Sequence, residues 1–474
     1  MKVLDDKDKE NEKILIDGND IEQMDTDDNI NPPTIKEKII YILKAISSIL
    51  SSTVNAFSHY SILVLGYSGI YLLSFRYHYN QNISYNYLYC FIPLINISLS
   101  ITAPLGGIIL DKFGQKTTIF LSNLIICISL LFMYFSRSIY LDYILMCFIG
   151  YGIATAINIT KINSCSYFIN KKALINGFVY LIPNFLSGIL ILYNETFILN
   201  YEHHYPTIKH TFFDEKVFIK FNDVILFEIK IIIITCIATI LLFFKNNPIE
   251  TKKLGYNEKI ANEKENENNN NGEIEKIEKN KRKVPKIVIL KKVVYDKRTI
   301  RLILMVMLFF PTITLITNLL RMDNSMFFVY GALYNTAGCI SCLIFGLIGD
   351  CVQFRILFTI LSILLLLVSY TIIKFFESDL IFLLETIIVS FAYNGFNIIF
   401  DSHIMKVYGM EYYIELWGII RSSRGISEIL GIILNFTLSN TSGVYKVIYG
   451  FSGCFSLISL ALGLYENESK FIYD

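Results

Sequence analysis

Residues 107–116 read GIILDKFGQK, and residues 346–355 read GLIGDCVQFR. In both stretches an Asp follows the first Gly by four residues, and a basic residue follows that Asp by five. Each stretch also comes directly after the second long apolar segment of its half of the chain. A pattern that repeats in register with the apolar segments predicts two related halves arranged as a parallel repeat.

The composition is typical of a membrane protein. Of the 474 residues, 53% are hydrophobic and only 18% are charged, whereas soluble domains keep about a quarter of their residues charged. The net charge of +1 gives no overall basic surface for nucleic acid. Charged residues crowd into 1–44 and 245–301, which leaves long apolar segments elsewhere.

Twelve apolar segments are long enough to cross a bilayer, for which a helix needs about 20 residues. They lack the alternation of barrel strands, so α-helices are the spanning element. The predicted fold class is therefore an all-α membrane protein with twelve transmembrane helices in two six-helix halves. The predicted spans are 50–75, 88–110, 117–136, 142–163, 173–193, 224–244, 301–320, 327–349, 356–375, 379–401, 417–438 and 444–465.

The polar segments divide the chain into five parts. Residues 1–44 are predicted to be a disordered acidic tail, and residues 245–300 a low-complexity linker. The two six-helix bundles then occupy 45–244 and 301–465, and 466–474 form a short tail. Basic residues flank the first span and the linker, which predicts that the linker and both termini are cytoplasmic. The membrane is the plasma membrane or that of an organelle.

The repeated pattern resembles the signature loop of the major facilitator superfamily, G-x-x-x-D-R/K-x-G-R/K-R/K. The resemblance covers all twelve spans and implies transport of a small solute by alternating access. It also implies that the loops form a latch that breaks and reforms as the two halves rock against each other. The latch candidates are Gly107, Asp111, Lys112, Gly114, Lys116, Gly346, Asp350 and Arg355.

The second loop departs from the signature at two positions, where Cys351 and Gln353 replace the base and the glycine. Its latch should therefore be weaker than the first. Span four has Met146 where proton-coupled members carry an arginine, and span five has Pro183 and Gly188 without the full antiporter pattern. These differences argue against drug–proton antiport.

In the superfamily, spans one, four, seven and ten line a central cavity, and here their polar residues recur every three or four positions. That spacing places them on one face of each helix. They bind solute or, as the alternative, form hydrogen bonds between helices. The candidates are Asn55 and His59 in span one, Tyr151, Thr155 and Asn158 in span four, Thr314 and Asn318 in span seven, and Asn394 and Asn397 in span ten.

Span eleven carries a stripe of charge that includes Arg421, Arg424 and Glu428. Charge at mid-bilayer is costly, so such residues are normally paired and face inward. Arg424 and Glu428 are one turn apart and are predicted to contact solute or to pair with each other. Arg421, like Lys161 in span four, is expected near a helix end with its charged group at the membrane surface.

The segments YFINKKALING (167–177) and VYGMEYYIELWG (407–418) resemble the monocarboxylate and oxalate–formate branch of the superfamily. That resemblance implies a small organic anion such as a monocarboxylate, held by a basic residue of span eleven. An amino acid or another neutral polar nutrient is the alternative solute. A non-transporting solute receptor or a membrane scaffold is the alternative of another class. Protons are a further expected partner, through His59, and the chain is expected to be a monomer in the lipid bilayer.

Catalytic and metal-binding patterns are missing from the sequence. It has no H-E-x-x-H, G-x-S-x-G or P-loop pattern, so no enzyme is predicted. Cys339 and Cys342 form a C-x-x-C within an apolar run that has no partner histidines. We therefore expect neither a metal nor another cofactor.

Deleting residues 255–280 should leave membrane insertion and solute flux nearly unchanged, because a flexible linker need only reach between two helix ends. Protease should cut the intact protein within this segment from the cytoplasmic face alone, as immunoblots of sealed inside-out and right-side-out vesicles would show. Cleavage restricted to the outer face would invert the predicted topology.

Overall fold

Twelve α-helices make up almost all of the chain that can be described. The computed structural model describes residues 34–67, 72–73, 75–77, 90–168, 170–199, 215–245, 292–319, 327–375, 379–410, 412–438 and 444–466. The helices are α1 Ile35–Tyr67, α2 Phe91–Phe113, α3 Gln115–Phe135, α4 Ile139–Ser166, α5 Lys172–Leu199, α6 Glu215–Leu242, α7 Lys297–Leu319, α8 Phe327–Ile348, α9 Phe354–Phe375, α10 Asp379–Val407, α11 Tyr413–Leu438 and α12 Val444–Gly463. By length and composition, counted over these residues alone, eight helices can cross a membrane. The predicted all-α fold with six helices in each half is confirmed.

Two helices begin inside segments that the sequence analysis assigned to the N-terminal tail and the linker. α1 starts at Ile35, before the bundle boundary expected at residue 45, because a capping box begins it. The backbone N–H of Thr34 donates to the Glu37 carboxylate at 2.7 Å, and the N–H of Glu37 donates to the Thr34 hydroxyl at 3.3 Å. α7 starts at Lys297, inside the segment assigned to the linker. The rest of the tail, 1–33, and most of the linker, 246–291, lie outside the described residues.

The most extensive helix contacts connect the two halves, between α5 and α8 and between α2 and α11. Glycines allow this close approach. A Cβ at Gly177 would lie 2.6 Å from the carbonyl oxygen of Cys342 and 2.8 Å from the Cα of Gly346. On the other pair, a Cβ at Gly418 would lie 2.7 Å from the ring of Pro104.

The outer surface is apolar and the interior is rich in polar groups. Large hydrophobic side chains such as Phe132, Leu241 and Leu367 are more than half exposed, and a bilayer would cover them. Inside the first half, α1 packs on α4 through polar contacts, among them the Ser52 hydroxyl, which donates to the carbonyl oxygen of Thr160 at 2.6 Å. This distribution is what a membrane protein with a polar transport path requires.

One end of the bundle, which we call the latch end, contains both repeated loops. The α2–α3 loop at Gly114 and the α8–α9 loop at 349–353 lie there. α4 and α10 also end at the latch end, and α5 and α11 begin there, because successive helices alternate in direction.

Gly177→Ala should destabilise the protein by about 1–3 kcal/mol, since the added methyl group would overpack the α5–α8 contact. Thermal unfolding of the purified protein measures the effect. Gly450→Ala in α12 is the matched control, because no heavy atom lies within 4 Å of its added Cβ and alanine favours a helix. Equal unfolding temperatures for the two variants would contradict this close packing.

Candidate functional site

A cavity lies between the halves, with about 590 Å³ of atom-free space, part of it open solvent. Side chains from α1, α2, α4 and α5 face it from the first half, and side chains from α10 and α11 face it from the second. The lining consists of His59, Tyr60, Asn96, Leu99, Ile153, Ala154, Ile157, Asn158, Tyr180, Tyr393, Asn397, Trp417, Arg421 and Arg424.

Arg421 is the cation of the cavity without a carboxylate partner in the described part of the chain. Its side chain is buried, and its guanidinium lies over the Trp417 ring at 4.7 Å from the centroid. One nitrogen donates to the side-chain oxygen of Asn397. The Arg421 Nε is buried and has no hydrogen-bond partner among the described residues.

Arg424, one turn further along α11, is held in an ion pair. Its Nε lies 3.3 Å from Glu428 Oε1, and its Nη1 lies 3.3 Å from the Tyr393 hydroxyl. The guanidinium is 4.5 Å from the centroid of the Phe310 ring. Asn96 on α2 donates to the same Glu428 oxygen at 3.1 Å. The pair therefore forms within α11 and also ties α11 to the first half.

A second buried ion pair crosses between the halves. Lys161 Nζ on α4 lies 2.7 Å from Asp401 Oδ2 on α10, and both side chains are fully buried. The indole N–H of Trp417 donates to the other Asp401 oxygen at 2.6 Å. The rings of Tyr180, Tyr413 and Trp417 surround the ammonium at 5.3–5.7 Å, and aromatic faces stabilise a cation.

The expectation that Lys161 and Arg421 reach the membrane surface was wrong. α4 continues to Ser166, so Lys161 lies more than a turn inside the helix. Neither residue is at a free helix end, and each meets buried partners, Asp401 for the lysine and Asn397 for the arginine. A buried partner on another helix removes the need for a long side chain to reach water.

The second latch loop joins the halves through Asp350. Its two carboxylate oxygens accept the backbone N–H groups of Ala173 and Leu174 at 3.0 Å each. These groups lie at the N-terminus of α5, where the helix dipole favours a negative charge. Lys406 Nζ lies 3.3 Å from Asp350, and Lys172 Nζ donates to the carbonyl oxygen of Met405 at 2.9 Å. Arg355 makes its hydrogen bond within the loop, to Gln353.

The structure describes only part of the first latch loop, at 107–116. Gly107 packs against α11, where a Cβ would lie 3.0 Å from Glu415 Oε1. Gly114 has φ +77°, a conformation that glycine adopts without strain, and it separates α2 from α3. Lys112 and Lys116 are exposed, and the side chain of Asp111 lies outside the described residues. Gly346, the glycine of the second copy, packs on Gly177 as described above.

The ends of the second half meet at Glu466, after α12. Arg298 Nε lies 2.8 Å from its carboxylate and His403 Nε2 lies 3.3 Å from it. Burial alone would raise the pKa of Glu466, but the hydrogen bonds and charges of His403 and Arg298 lower it below its ordinary value. The His403 ring stacks on the Phe354 ring, with 4.1 Å between the two ring centroids. This cluster fixes the start of α7 and the end of α12 to α10.

The sequence-predicted solute residues divide into two groups. His59, Asn158, Asn397 and Arg424 line the cavity, and Glu428 pairs with Arg424. The others face neighbouring helices or lie outside the lining. Asn55 donates a hydrogen bond to Thr160, and Asn394 accepts one from Asn184. Thr155 packs on Gly106 and Thr314 packs on Gly431. Tyr151 is half-buried, and the side chain of Asn318 lies outside the described residues.

Sequence reasoning missed the contributions of α2 and α5. Asn96 and Tyr180 reach the cavity because these helices make the crossing contacts between the halves. It also missed Tyr60, Tyr393 and Trp417, because aromatic residues in apolar segments are typical of a hydrophobic core. One signal was available, since Trp417 is the single tryptophan of the chain. In the described ranges, no three His, Cys, Asp or Glu side chains group as ligands of a metal ion.

The family profile described as Major Facilitator Superfamily matches residues 229–432, from α6 into α11. The matched region covers 204 of the 474 residues, which is less than half of the chain. No curated protein sequence matches it. The profile match and the fold support a membrane transporter of small solutes and agree with the resemblance seen in the repeated loops.

Solved structures of this superfamily share the fold across almost the whole chain. The proton:xylose symporter XylE, bound to 6-bromo-6-deoxy-D-glucose, has a TM-score of 0.59 at 10% identity and covers 90% of this chain and 95% of its own. The human organic anion transporter MFSD10 (TETRAN) has a TM-score of 0.57 at 10% identity, with coverage of 89% and 99%. Identities this low establish the superfamily fold alone.

Replacing Lys161 with Met should destabilise the protein by about 3–5 kcal/mol, because Asp401 would stay buried without its cation. The double variant Lys161→Met with Asp401→Leu should be clearly less destabilised than the single variant, since it removes both charges. Thermal unfolding of the purified protein measures both. If the destabilisation of the double variant equals the sum of the destabilisations by Lys161→Met alone and Asp401→Leu alone, the pair does not interact.

Proposed function

We propose that this superfamily member carries small organic anions of the monocarboxylate class by alternating access, with Arg421 as the anion contact. The observation that carries the proposal is the buried Arg421 guanidinium on the cavity wall, which has no carboxylate partner in the described part of the chain. A solute carboxylate would supply the missing negative charge, and the planar fork of arginine suits that group.

The charges around the cavity support an anion. Lys161, Arg421 and Arg424 are three cations, and the described carboxylates bound to them are Asp401 and Glu428. One positive charge is left over, on Arg421. A buried unpaired charge is costly, so an anion binds there with an electrostatic advantage over a neutral solute of the same shape.

Polar atoms elsewhere on the wall suit a second functional group. Both ring nitrogens of His59 and the side-chain oxygen of Asn158 are buried without hydrogen-bond partners among the described residues. Buried polar groups normally have partners, and a solute or water would supply them. A hydroxyl or keto group beside the carboxylate fits these atoms. Tyr60 and Trp417 add aromatic walls for the carbon skeleton.

The latch-end contacts support alternating access. Asp350 on the α5 N-terminus and the Lys161–Asp401 pair join the halves at and near this end. A solute would leave through the latch end only after both contacts break. Contacts that break and reform between two halves are a known way to switch access.

An amino acid fits the described lining less well than an anion. Its ammonium group would need a carboxylate, and Asp401 and Glu428 are already engaged by Lys161 and Arg424. A receptor that binds the same anion without moving it would share this site. Flux therefore distinguishes the carrier from the receptor.

Uptake of labelled lactate, pyruvate, alanine and glucose into proteoliposomes tests the proposal. The wild-type carrier should take up the anions in preference to the neutral solutes. Arg421→Gln should reduce anion uptake roughly tenfold to a hundredfold, since a charged hydrogen bond contributes about 1.5–3 kcal/mol. Arg421→Lys should restore only part of it, because the bidentate geometry is lost.

The double variant Arg424→Leu with Glu428→Leu is the comparison. It removes an ion pair and leaves the net charge of the cavity unchanged, so it should retain the preference for anions. Loss of that preference in the double variant, with normal uptake by Arg421→Gln, would move the anion contact to Arg424. Binding without uptake would identify a receptor.

A further inference from the structure

A carboxylate lies buried in the first half, outside the cavity lining. Glu228 is in the middle of α6 and its side chain has no exposed surface. Neither carboxyl oxygen has a hydrogen-bond partner within the described ranges. The Ser61 hydroxyl on α1 lies beside it, but that hydroxyl donates to the carbonyl oxygen of Ser58 at 2.8 Å.

The surroundings of Glu228 are apolar. Val224, Ile225 and Ile232 on α6 belong to one buried hydrophobic cluster, which also contains Ile62 of α1 and Ile126 of α3. An ionised carboxylate without a partner in such a place is very costly. A proton on the carboxyl removes that charge.

No described ionisable group forms an ion pair with Glu228. On the helices packed against α6, the titratable groups of the central turns are His59 and Tyr60 on α1, Cys127 on α3 and Tyr193 on α5. His59 and Tyr60 face the cavity. Cys127 lies near Cys236 of α6 itself, and the ring centroids of Tyr193 and Phe227 are 6.0 Å apart. Lys44, Lys116 and Lys172 of these three helices lie towards the latch end. On α6, Asp223 and Lys230 are exposed.

We propose that Glu228 is a proton-binding site of the carrier, set between α1 and α6 and separate from the solute cavity. In the conformation described, the carboxyl binds one proton and is neutral. Ionisation requires water or a base, and the described packing supplies neither. The proton therefore leaves when α1 and α6 separate in another conformation of the transport cycle.

α1 links this proton site to the cavity. His59 and Tyr60 face the cavity from α1, and Ser61 faces Glu228 from the same turn. A movement of α1 that exposes Glu228 to water therefore also changes the cavity wall. The site does not depend on which solute is carried. If the solute is the proposed monoanion, one bound proton balances its charge.

Infrared spectroscopy of the purified wild-type protein in lipid tests the proton without any solute. A neutral carboxyl group gives a C=O stretch that an ionised one lacks. At neutral pH, Glu228→Gln should lose one such band relative to the wild type. Asp223→Asn, on the same helix and exposed, should lose none. Identical neutral-carboxyl bands in the wild type and Glu228→Gln would overturn the proposal.

Glu228→Asp provides a second variant should the glutamine variant fail to fold. It keeps an acid at the site, so the band should remain but at a shifted frequency. An unshifted band in Glu228→Asp would overturn the proposal.

Thermal unfolding gives an independent test of the proton site. The wild-type stability should fall as pH rises above the ordinary glutamate pKa of about 4.3, and Glu228→Gln should lose part of that fall. The same pH dependence in both proteins would also contradict the proton site.

Discussion

The cost of placing a charge inside a membrane governs how this protein is organised. A buried ion that loses its partner destabilises the fold by several kcal/mol. Within the first half, Arg76 is satisfied by Asp142 at 2.6 Å and by backbone carbonyl oxygens. Between the halves, Lys161 is satisfied by Asp401 at 2.7 Å. The second pair makes the association of the halves an electrostatic requirement, and the helices that carry it also form the cavity.

The proposed function rests on the one cavity cation that has no carboxylate partner among the described residues. Lys161 and Arg424 each have a carboxylate, whereas Arg421 has the Asn397 amide and the Trp417 ring. Because the described partners of this buried cation are neutral, we propose that Arg421 binds the solute anion. The fold alone does not determine which solute is carried, since solved structures of similar fold include a sugar symporter and an organic anion transporter.

Much of the fold could be predicted from the sequence, and less of the site. The repeated Gly-x-x-x-Asp pattern and the six-plus-six apolar segments depend on local spacing, so the helices and their two halves followed directly. Spacing also placed His59 and Asn158 on one face of their helices. It could not show that Lys161 meets Asp401, because partners 240 positions apart are brought together by helix packing alone. Asn96 was missed for the same reason.

Thermal stabilisation of the purified carrier by pairs of ligands that differ only in charge tests whether Arg421 binds an anion. Lactate and lactamide form one such pair, and larger carboxylates with their amides extend the series. At equal ionic strength, an anion site at Arg421 predicts that the carboxylate raises the unfolding temperature with concentration and that its amide does not. Equal stabilisation by both, or stronger stabilisation by the amide, would contradict an anion site at Arg421.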